Sequence, residues 1–414
     1  MRPPLLALSA CVALSACGGP ESPRAAHAPS MVRTAPAAGV PGLAAPAARD
    51  VDPALPASAT AQLLGAGPTR ALLRVRAGDV TYLGLWDLAS GCVKRTHPAF
   101  ARLAELEDLD RDAYERRSEG ATLPTRRAAA LALLGAPDTK RELAEMLALA
   151  KEAEATQARP LAWSDDGRHV AAAVAGGLFV SWDAGATFAM LDDHDAASPA
   201  FAPGSGALFF ERCARADTPY HCAPEFREVG VLSAKATEPR LTRIGTALAA
   251  GIDRDRGQVV LARDGEGSKL CIDRLASDGA ITRAFCVGAR VQRPGEPPPL
   301  TVSGRGAWAA FDTTDKKRPR LFVFDLRSGA SSFVVDGLDA AQVELDERGL
   351  VAWESPDNHH AIVTSAKTRR DVGPGKPLGW TRAGTLAVWS PPADGAKSLG
   401  EVACKQLRAE PAAP

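Results

Sequence analysis

A short phrase recurs along this chain and constrains its fold more than any other feature. It reads "LAWSDDGRHVAAAV" from Leu161, "PAFAPGSGALFFE" from Pro199, "AGIDRDRGQVVLAR" from Ala250, "LTVSGRGAWAAFD" from Leu300, "VELDERGLVAWE" from Val343 and "LGWTRAGTLAVW" from Leu378. Each copy has an apolar start, a polar turn, a glycine and an apolar run. The glycines Gly167, Gly206, Gly257, Gly306, Gly349 and Gly384 recur at roughly 40–50 residues, the length of one propeller blade. Glycine suits a tight hairpin turn that needs positive φ. The runs after it, such as Leu208-Phe209-Phe210, are short enough for buried strands. The second half of a repeat reads strand, turn, strand, as in "GLWDLASGCVKR" from Gly84 and "LFVFDLRSGASSFVV" from Leu321. An earlier copy, "LLGAGPTRALLRV" from Leu63, precedes the first of these hairpins and reads as the first blade, which brings the count to seven.

The expected fold is therefore all-β, a β-propeller of about seven blades, or six or eight if one weak repeat is misread. The phrase "LAWSDDGRHVAAAV" resembles the WD-like repeats of TolB-type propellers. The resemblance covers residues 69–408 and implies a fold rather than an activity. A ring of blades must close, and the usual device is one sheet shared between the two ends of the chain. "EVACKQLRAE" from Glu401 is expected beside the first blade's strands.

Residues 98–158 break the period. Phe100, Leu103, Leu106 and Leu109 have helical spacing. In "PDTKRELAEMLALAKEAEA", Thr139 and Glu142 form a capping box ahead of Leu143, Met146, Leu147 and Ala150. A helical insertion of two or three helices is expected between the first two blades. It would serve either as a cap or docking module over one rim, or as a covering for apolar surface.

The first residues read as an export signal. Arg2 precedes an apolar run over residues 5–16, too short to span a bilayer and matching a signal-peptide core. Leu14-Ser15-Ala16-Cys17 resembles a bacterial lipobox, which implies cleavage before Cys17 and lipid attachment to it. Leu8-Ser9-Ala10-Cys11 also matches, but cleavage there leaves almost no apolar core. Gly18 stands where an aspartate would resemble the inner-membrane retention signal, so the resemblance implies the outer membrane. Residues 1–16 are thus expected to be a signal peptide. Residues 17–68, rich in Ala, Pro, Gly and Ser, cannot bury enough surface to offset ordering and are expected to be a disordered tether. The chain has 49 Lys and Arg against 49 Asp and Glu, so composition supports no nucleic-acid partner.

Six cysteines follow Cys17, an even number that in an exported chain suggests disulfides. Local pairing joins Cys213 to Cys222 and Cys271 to Cys286. A turn at Asp278-Gly279 places the second pair opposite each other, with Leu270 facing Val287 and Ile272 facing Phe285. By elimination Cys92 pairs with Cys404, from opposite ends of a ring.

"SWDAGATF", with Ser181, Asp183, Gly185 and Thr187, resembles the Asp-box of sialidases and related propellers. In that family it is an outer hairpin turn, remote from the central site, so the resemblance implies a structural role. A sialidase also needs an arginine cluster, a tyrosine nucleophile and a glutamate partner. The only tyrosines are Tyr82, Tyr114 and Tyr220, none at a plausible central position. There is no G-x-S-x-G nucleophile elbow. "GPGKPLG" lacks phosphate-loop spacing, and no zinc signature is present. "DDHD" (Asp192 to Asp195), "DRDRG" from Asp253 and His359-His360 read as turns, so no metal and no cofactor are expected. Trp163, Phe201 and Trp380 recur at repeat starts, which points to packing between blades rather than a sugar platform. The expectation is a non-enzymatic envelope protein, anchored by lipid, that binds a protein partner. The alternative is a carbohydrate-active hydrolase with paired carboxylates in the central funnel, ~5–10 Å apart.

Overall fold

The computed structural model describes residues 54–411, apart from 57, 79, 91–92, 98–100, 116–121, 205, 216–221, 234–235, 237, 246, 266–268, 291–299, 304–305, 316–317, 339–342, 391–396 and 399–406. The strands form six antiparallel sheets of at least four strands and a three-stranded seventh. We call them blades 1 (60–97), 2 (157–192), 3 (197–243), 4 (248–290), 5 (300–336), 6 (343–374) and 7 (376–411). Blade 2 carries an extra two-residue strand, Gln157–Ala158, on its inner edge.

In each blade the first strand lies innermost. Leu300–Val302 touches both Leu248–Asp253 and Val343–Leu345, its counterparts in the neighbouring blades. The last strands, such as Arg240–Arg243 and Arg369–Pro374, are mostly exposed.

An apolar seam fills each gap between neighbouring blades. Phe210 of blade 3 packs with Leu178 of blade 2, and Val231 of blade 3 with Leu261 of blade 4. Ile272 of blade 4 meets Phe311 of blade 5, and Val323 of blade 5 meets Val351 of blade 6. Ala352 of blade 6 lies against Val388 of blade 7. Leu73 and Trp86 of blade 1 then pack on Leu378 and Trp389 of blade 7, which closes the ring. Both faces of each sheet are buried, so its middle strands are continuous apolar runs such as Val170–Val174.

The same turn joins first to second strand in most blades. In blades 2, 5, 6 and 7 the N–H of Gly167, Gly306, Gly349 or Gly384 donates to the carbonyl oxygen of Ser164, Ser303, Asp346 or Thr381, at 2.8, 2.8, 3.2 and 2.9 Å. Gly349 sits at φ +80° and Gly384 at +77°, a region that a side chain makes costly. The four residues at the head of these turns are all buried, with side-chain oxygens turned back onto the loop. Asp346 Oδ1, for example, accepts from the N–H groups of Arg348 (2.8 Å) and Leu350 (2.6 Å), the local bonding that short polar side chains favour.

Closure departs from the expected form. Leu407–Pro411, at the end of the "EVACKQLRAE" stretch, pairs with Thr385–Trp389 of blade 7 rather than lying in blade 1. Blade 1 already has four strands, whereas blade 7 has only two before this one arrives. The two ends of the chain instead meet in a minimal ladder of Ala54–Leu55 with Lys397–Ser398. Blade 1 also begins earlier than residue 69, because Thr60–Ala66, within the supposed tether, pairs with Arg70–Ala77 as the innermost strand. The repeat copy from Leu63 supplies the second half of this strand, and the hairpin to Arg70–Ala77 extends it back to Thr60.

Three helices, α1 (Ala101–Glu115), α2 (Leu123–Gly135) and α3 (Pro137–Glu152), lie between blades 1 and 2. They wedge into the seam. Leu106, Leu134, Leu143 and Met146 share one core with Leu72 and Leu85 of blade 1 and Trp163 and Phe179 of blade 2. α3 starts at Pro137, where a missing N–H costs nothing, two residues before the Thr139 of the supposed capping box. Thr139 is buried, and Glu142 Oε2 instead accepts the Leu103 N–H of α1 at 3.3 Å. No helix among the described residues is long and apolar enough to cross a membrane.

Candidate functional site

The central funnel is the concave feature that the ring creates, and it holds two cavities. The first, about 1230 Å³, opens on the face of the repeat turns. Asp346, Glu347 and Arg348 of blade 6, Thr381 and Arg382 of blade 7, and Lys151 on α3 border it. The second, about 660 Å³, opens on the opposite face, among Asp110 of α1, Arg159, Ser198 and Glu211. Thr156, Gln157, Arg254 and Val302 border both cavities, and the Arg254 guanidinium donates to the Thr156 hydroxyl there. The helical wedge thus supplies wall to both ends of the funnel.

Several charged groups around the turn-face cavity already have partners. Arg382 pairs with Glu154. Arg348 bonds Asp346 and the Gly384 carbonyl oxygen, each at 2.7 Å. Glu347 accepts from the Ser303 hydroxyl at 2.8 Å.

Glu344 differs. It lies in the first strand of blade 6 between Val343 and Leu345, which are buried at 5% and 6% exposure. Side chains alternate along a strand, so Glu344 turns to the opposite face, toward the glycine of blade 7. A Cβ at Gly379 would lie 3.7 Å from Glu344 Oε2 and 3.2 Å from Leu63 of blade 1. Burial pushes the Glu344 carboxyl up to about 7, with Lys376 only partly opposing. Its carboxylate makes no hydrogen bond or ion pair among the described residues. Its backbone carbonyl oxygen accepts the indole N–H of Trp380 at 3.1 Å.

Repeat comparison carries the one sequence signal for this residue. Ala162, Thr301 and Gly379 hold the place that Glu344 takes in "VELDERG". A carboxylate between two buried aliphatics is the odd member of that set.

At the opposite end, Glu211 is also raised by burial, but its Oε1 accepts the Ala249 N–H of blade 4 at 3.2 Å. Asp110 is raised by burial and opposed by Arg159, at 3.5 Å.

The residues singled out in the sequence mostly lie elsewhere. Cys213 is bonded to Cys222, and Cys271 to Cys286, with Cα atoms 5.6 and 4.0 Å apart. The register Leu270 to Val287, Cys271 to Cys286 and Ile272 to Phe285 is as expected. The turn is wider than two residues, with Leu275 opposite Ile281, and an irregularity after Ile272 restores the register. Cys17, Cys92 and Cys404 lie outside the described residues.

The 181–188 turn is closed by its own side chains. Asp183 Oδ1 accepts from the Ser181 hydroxyl (2.7 Å) and the Thr187 N–H (2.8 Å), Oδ2 accepts from the Thr187 hydroxyl (2.7 Å), and the Gly185 N–H donates to Ser181 Oγ (2.8 Å). Burial alone would raise the Asp183 carboxyl, but these bonds together hold it below the usual range. Gly185 leaves room for Leu143, so α3 seats directly on this turn.

Asp192, Asp193 and His194 bring ligand atoms within 4.8 Å of one another. Asp192 is nevertheless engaged by Arg212 and by the His194 N–H, and His194 Nδ1 lies 3.0 Å from Asp193. Asp253 is buried and held by Arg256 and Arg274. His359 and His360 contact Glu354 and Asp371 at 2.8 and 2.9 Å. Of the repeat aromatics, Phe201 is core. Trp163 and Trp380 wall the turn-face cavity while bonding backbone carbonyl oxygens, Trp163 that of Ala155 at 2.8 Å.

No known protein family and no curated protein matches this sequence. Among solved structures it is similar to the Dos1 propeller, at 12% identity over 83% of this chain and 78% of that one, with a TM-score of 0.39. A chain of the mitotic checkpoint complex matches at 10% identity over 91% and 98%, also with a TM-score of 0.39. Dihydro-heme d1 dehydrogenase NirN matches at 13% identity over 85% and 74%, again at 0.39. Such distant likenesses carry nothing about activity. The seven sheets and the seams between them make this chain a β-propeller with a helical wedge between its first two blades.

Proposed function

We propose that this chain is a lipid-anchored cell-envelope β-propeller that binds a partner in its funnel without transforming it. The turn-face cavity carries this reading: it is about 1230 Å³ and open to solvent, and two ion pairs, Arg382 with Glu154 and Arg348 with Asp346, hold part of its charged border in place. The lipobox-like Leu14-Ser15-Ala16-Cys17 and the Ala/Pro-rich segment after it support an anchored, tethered placement. The 181–188 turn is a structural turn in this reading.

Crosslinking in the source cells followed by mass spectrometry tests the proposal. Deleting the helical wedge would remove core, so the informative variant is Ala148→Trp, at an exposed position on α3 that borders the cavity. A partner recovered with the native chain and lost with Ala148→Trp is the expected result. Equal recovery contradicts the funnel as the binding surface, and recovery of no protein contradicts a protein occupant. Cys17→Ser should release the protein from membranes; retention contradicts the lipid anchor.

One observation favours a second reading, a carbohydrate-active hydrolase. A carboxyl held near 7 in a cavity suits a general acid. Turnover of a glycoside by the native chain, lost in Glu344→Gln, would replace the binding reading.

A further inference from the structure

We propose that the turn-face cavity receives an organic cation, a primary ammonium or guanidinium head, with Glu344 as its counter-charge and Trp380 as its flanking wall. This rests on the reading of the funnel as a binding surface and names the chemistry it selects.

A carboxylate taken from water is costly unless a cation or several donors meet it. At the same cavity Asp346 and Glu154 meet arginines and Glu347 accepts from a hydroxyl, whereas the Glu344 carboxylate makes no hydrogen bond or ion pair among the described residues. Of the cationic side chains nearby, Arg382 is engaged with Glu154, Arg348 with Asp346 and Arg254 with Thr156, while Lys151 and Lys376 form no ion pair with Glu344 among the described residues and Lys376 acts on it only through its charge.

Gly379, at φ +140°, keeps side-chain bulk away from Glu344 Oε2. Trp380 borders the same cavity and is tied to the Glu344 main chain by its indole N–H, so an aromatic face stands near the carboxylate. Carboxylate and indole together are the usual recognition set for an ammonium or guanidinium group. Six carboxylate residues border the cavity against four basic ones, so its field also attracts cations. The cavity is larger than most small-molecule sites. It therefore admits either a free amine or a basic side chain projecting from a protein partner.

Calorimetric titration of the full chain with four probes tests this. The probes are 1,5-diaminopentane, its neutral isostere 1,5-pentanediol, a lysine-bearing peptide, and the same peptide with norleucine. The expected result is binding of a cationic probe but not its neutral counterpart, weakened about tenfold or more in Glu344→Gln. Ala148→Trp should also weaken it, a second variant that leaves Glu344 in place. Binding of the diamine assigns a free amine as sufficient. Binding of the lysine peptide alone assigns a basic side chain.

The inference is overturned if no cationic probe binds, if the neutral probes bind equally, or if Glu344→Gln binds as well as the native chain. If cations fail while crosslinking still recovers a partner that Ala148→Trp releases, the cation inference falls and the funnel reading stands. If both fail, the funnel reading falls too.

Discussion

The two ends of the funnel each hold a half-buried glutamate, and they treat it differently. At the wider end Glu344 faces a glycine and open space. At the narrower end Glu211 reaches across to blade 4 and accepts the Ala249 N–H at 3.2 Å. Burial raises both carboxyls, so burial alone does not separate a structural carboxyl from a ligand-binding one. The hydrogen-bond partner separates them. Glu211 ties two blades together, as do Arg274 to the Leu326 carbonyl oxygen between blades 4 and 5 and Ser303 to Glu347 between blades 5 and 6. Glu344 ties its blade to the next only through its backbone. Its side chain adds desolvation without structural return, a pattern expected where a site costs stability.

The largest expected effect tests this contrast directly. An acid whose pKa rises on folding binds more protons in the folded state, so stability falls as pH climbs from the unfolded value of 4.5 to about 7. Glu344→Gln removes that loss. It should be more stable than the native chain at pH 8, by up to about 3 kcal/mol, and should show no gain at pH 4. Denaturant unfolding at both pH values measures it. A Glu344→Gln chain no more stable at pH 8 would mean that the carboxylate is compensated and the two ends are alike.

Next comes the narrow end. Glu211→Gln keeps an acceptor for the Ala249 N–H, whereas Glu211→Ala leaves that donor unmet. The alanine variant should be less stable than the glutamine variant by about 1–3 kcal/mol. Equal stabilities would show that the blade 3 to blade 4 bond contributes nothing, and the distinction between the ends would lose its basis.

The smallest effect comes from a carboxylate far from the funnel. Asp183→Ala should cost about 1 kcal/mol through lost turn bonds and leave cation titration unchanged. Because the Asp183 carboxyl is held below its usual range, its contribution is present at neutral pH and lost as pH falls below that range. A binding defect in a folded Asp183→Ala chain would place part of the site at the turn beneath α3.

Much of the ring was legible because its physics is local. The turn heads Ser164, Ser303, Asp346 and Thr381 and the glycines three residues later act within one loop, so residue type and spacing reveal them. The Cys271–Cys286 pairing was readable for the same reason, through alternation on a single hairpin. The helices announced themselves by period, but their place did not. Whether Leu106 and Met146 cover a rim or fill a seam depends on what Leu72 and Phe179 leave open, and those residues are far away in sequence.

The chain's sequence by itself determined repeated blades, glycine turns, two short disulfides and a helical interruption, because each depends on neighbours a few positions apart. Only the tertiary structure decided that the first blade starts as early as Thr60, that Leu407–Pro411 completes blade 7, and that Glu344 faces Gly379 with no ion pair among the described residues. The last two depend on groups far apart in sequence, a strand arriving after a long connection and a glutamate facing the next blade, and no local spacing encodes those meetings.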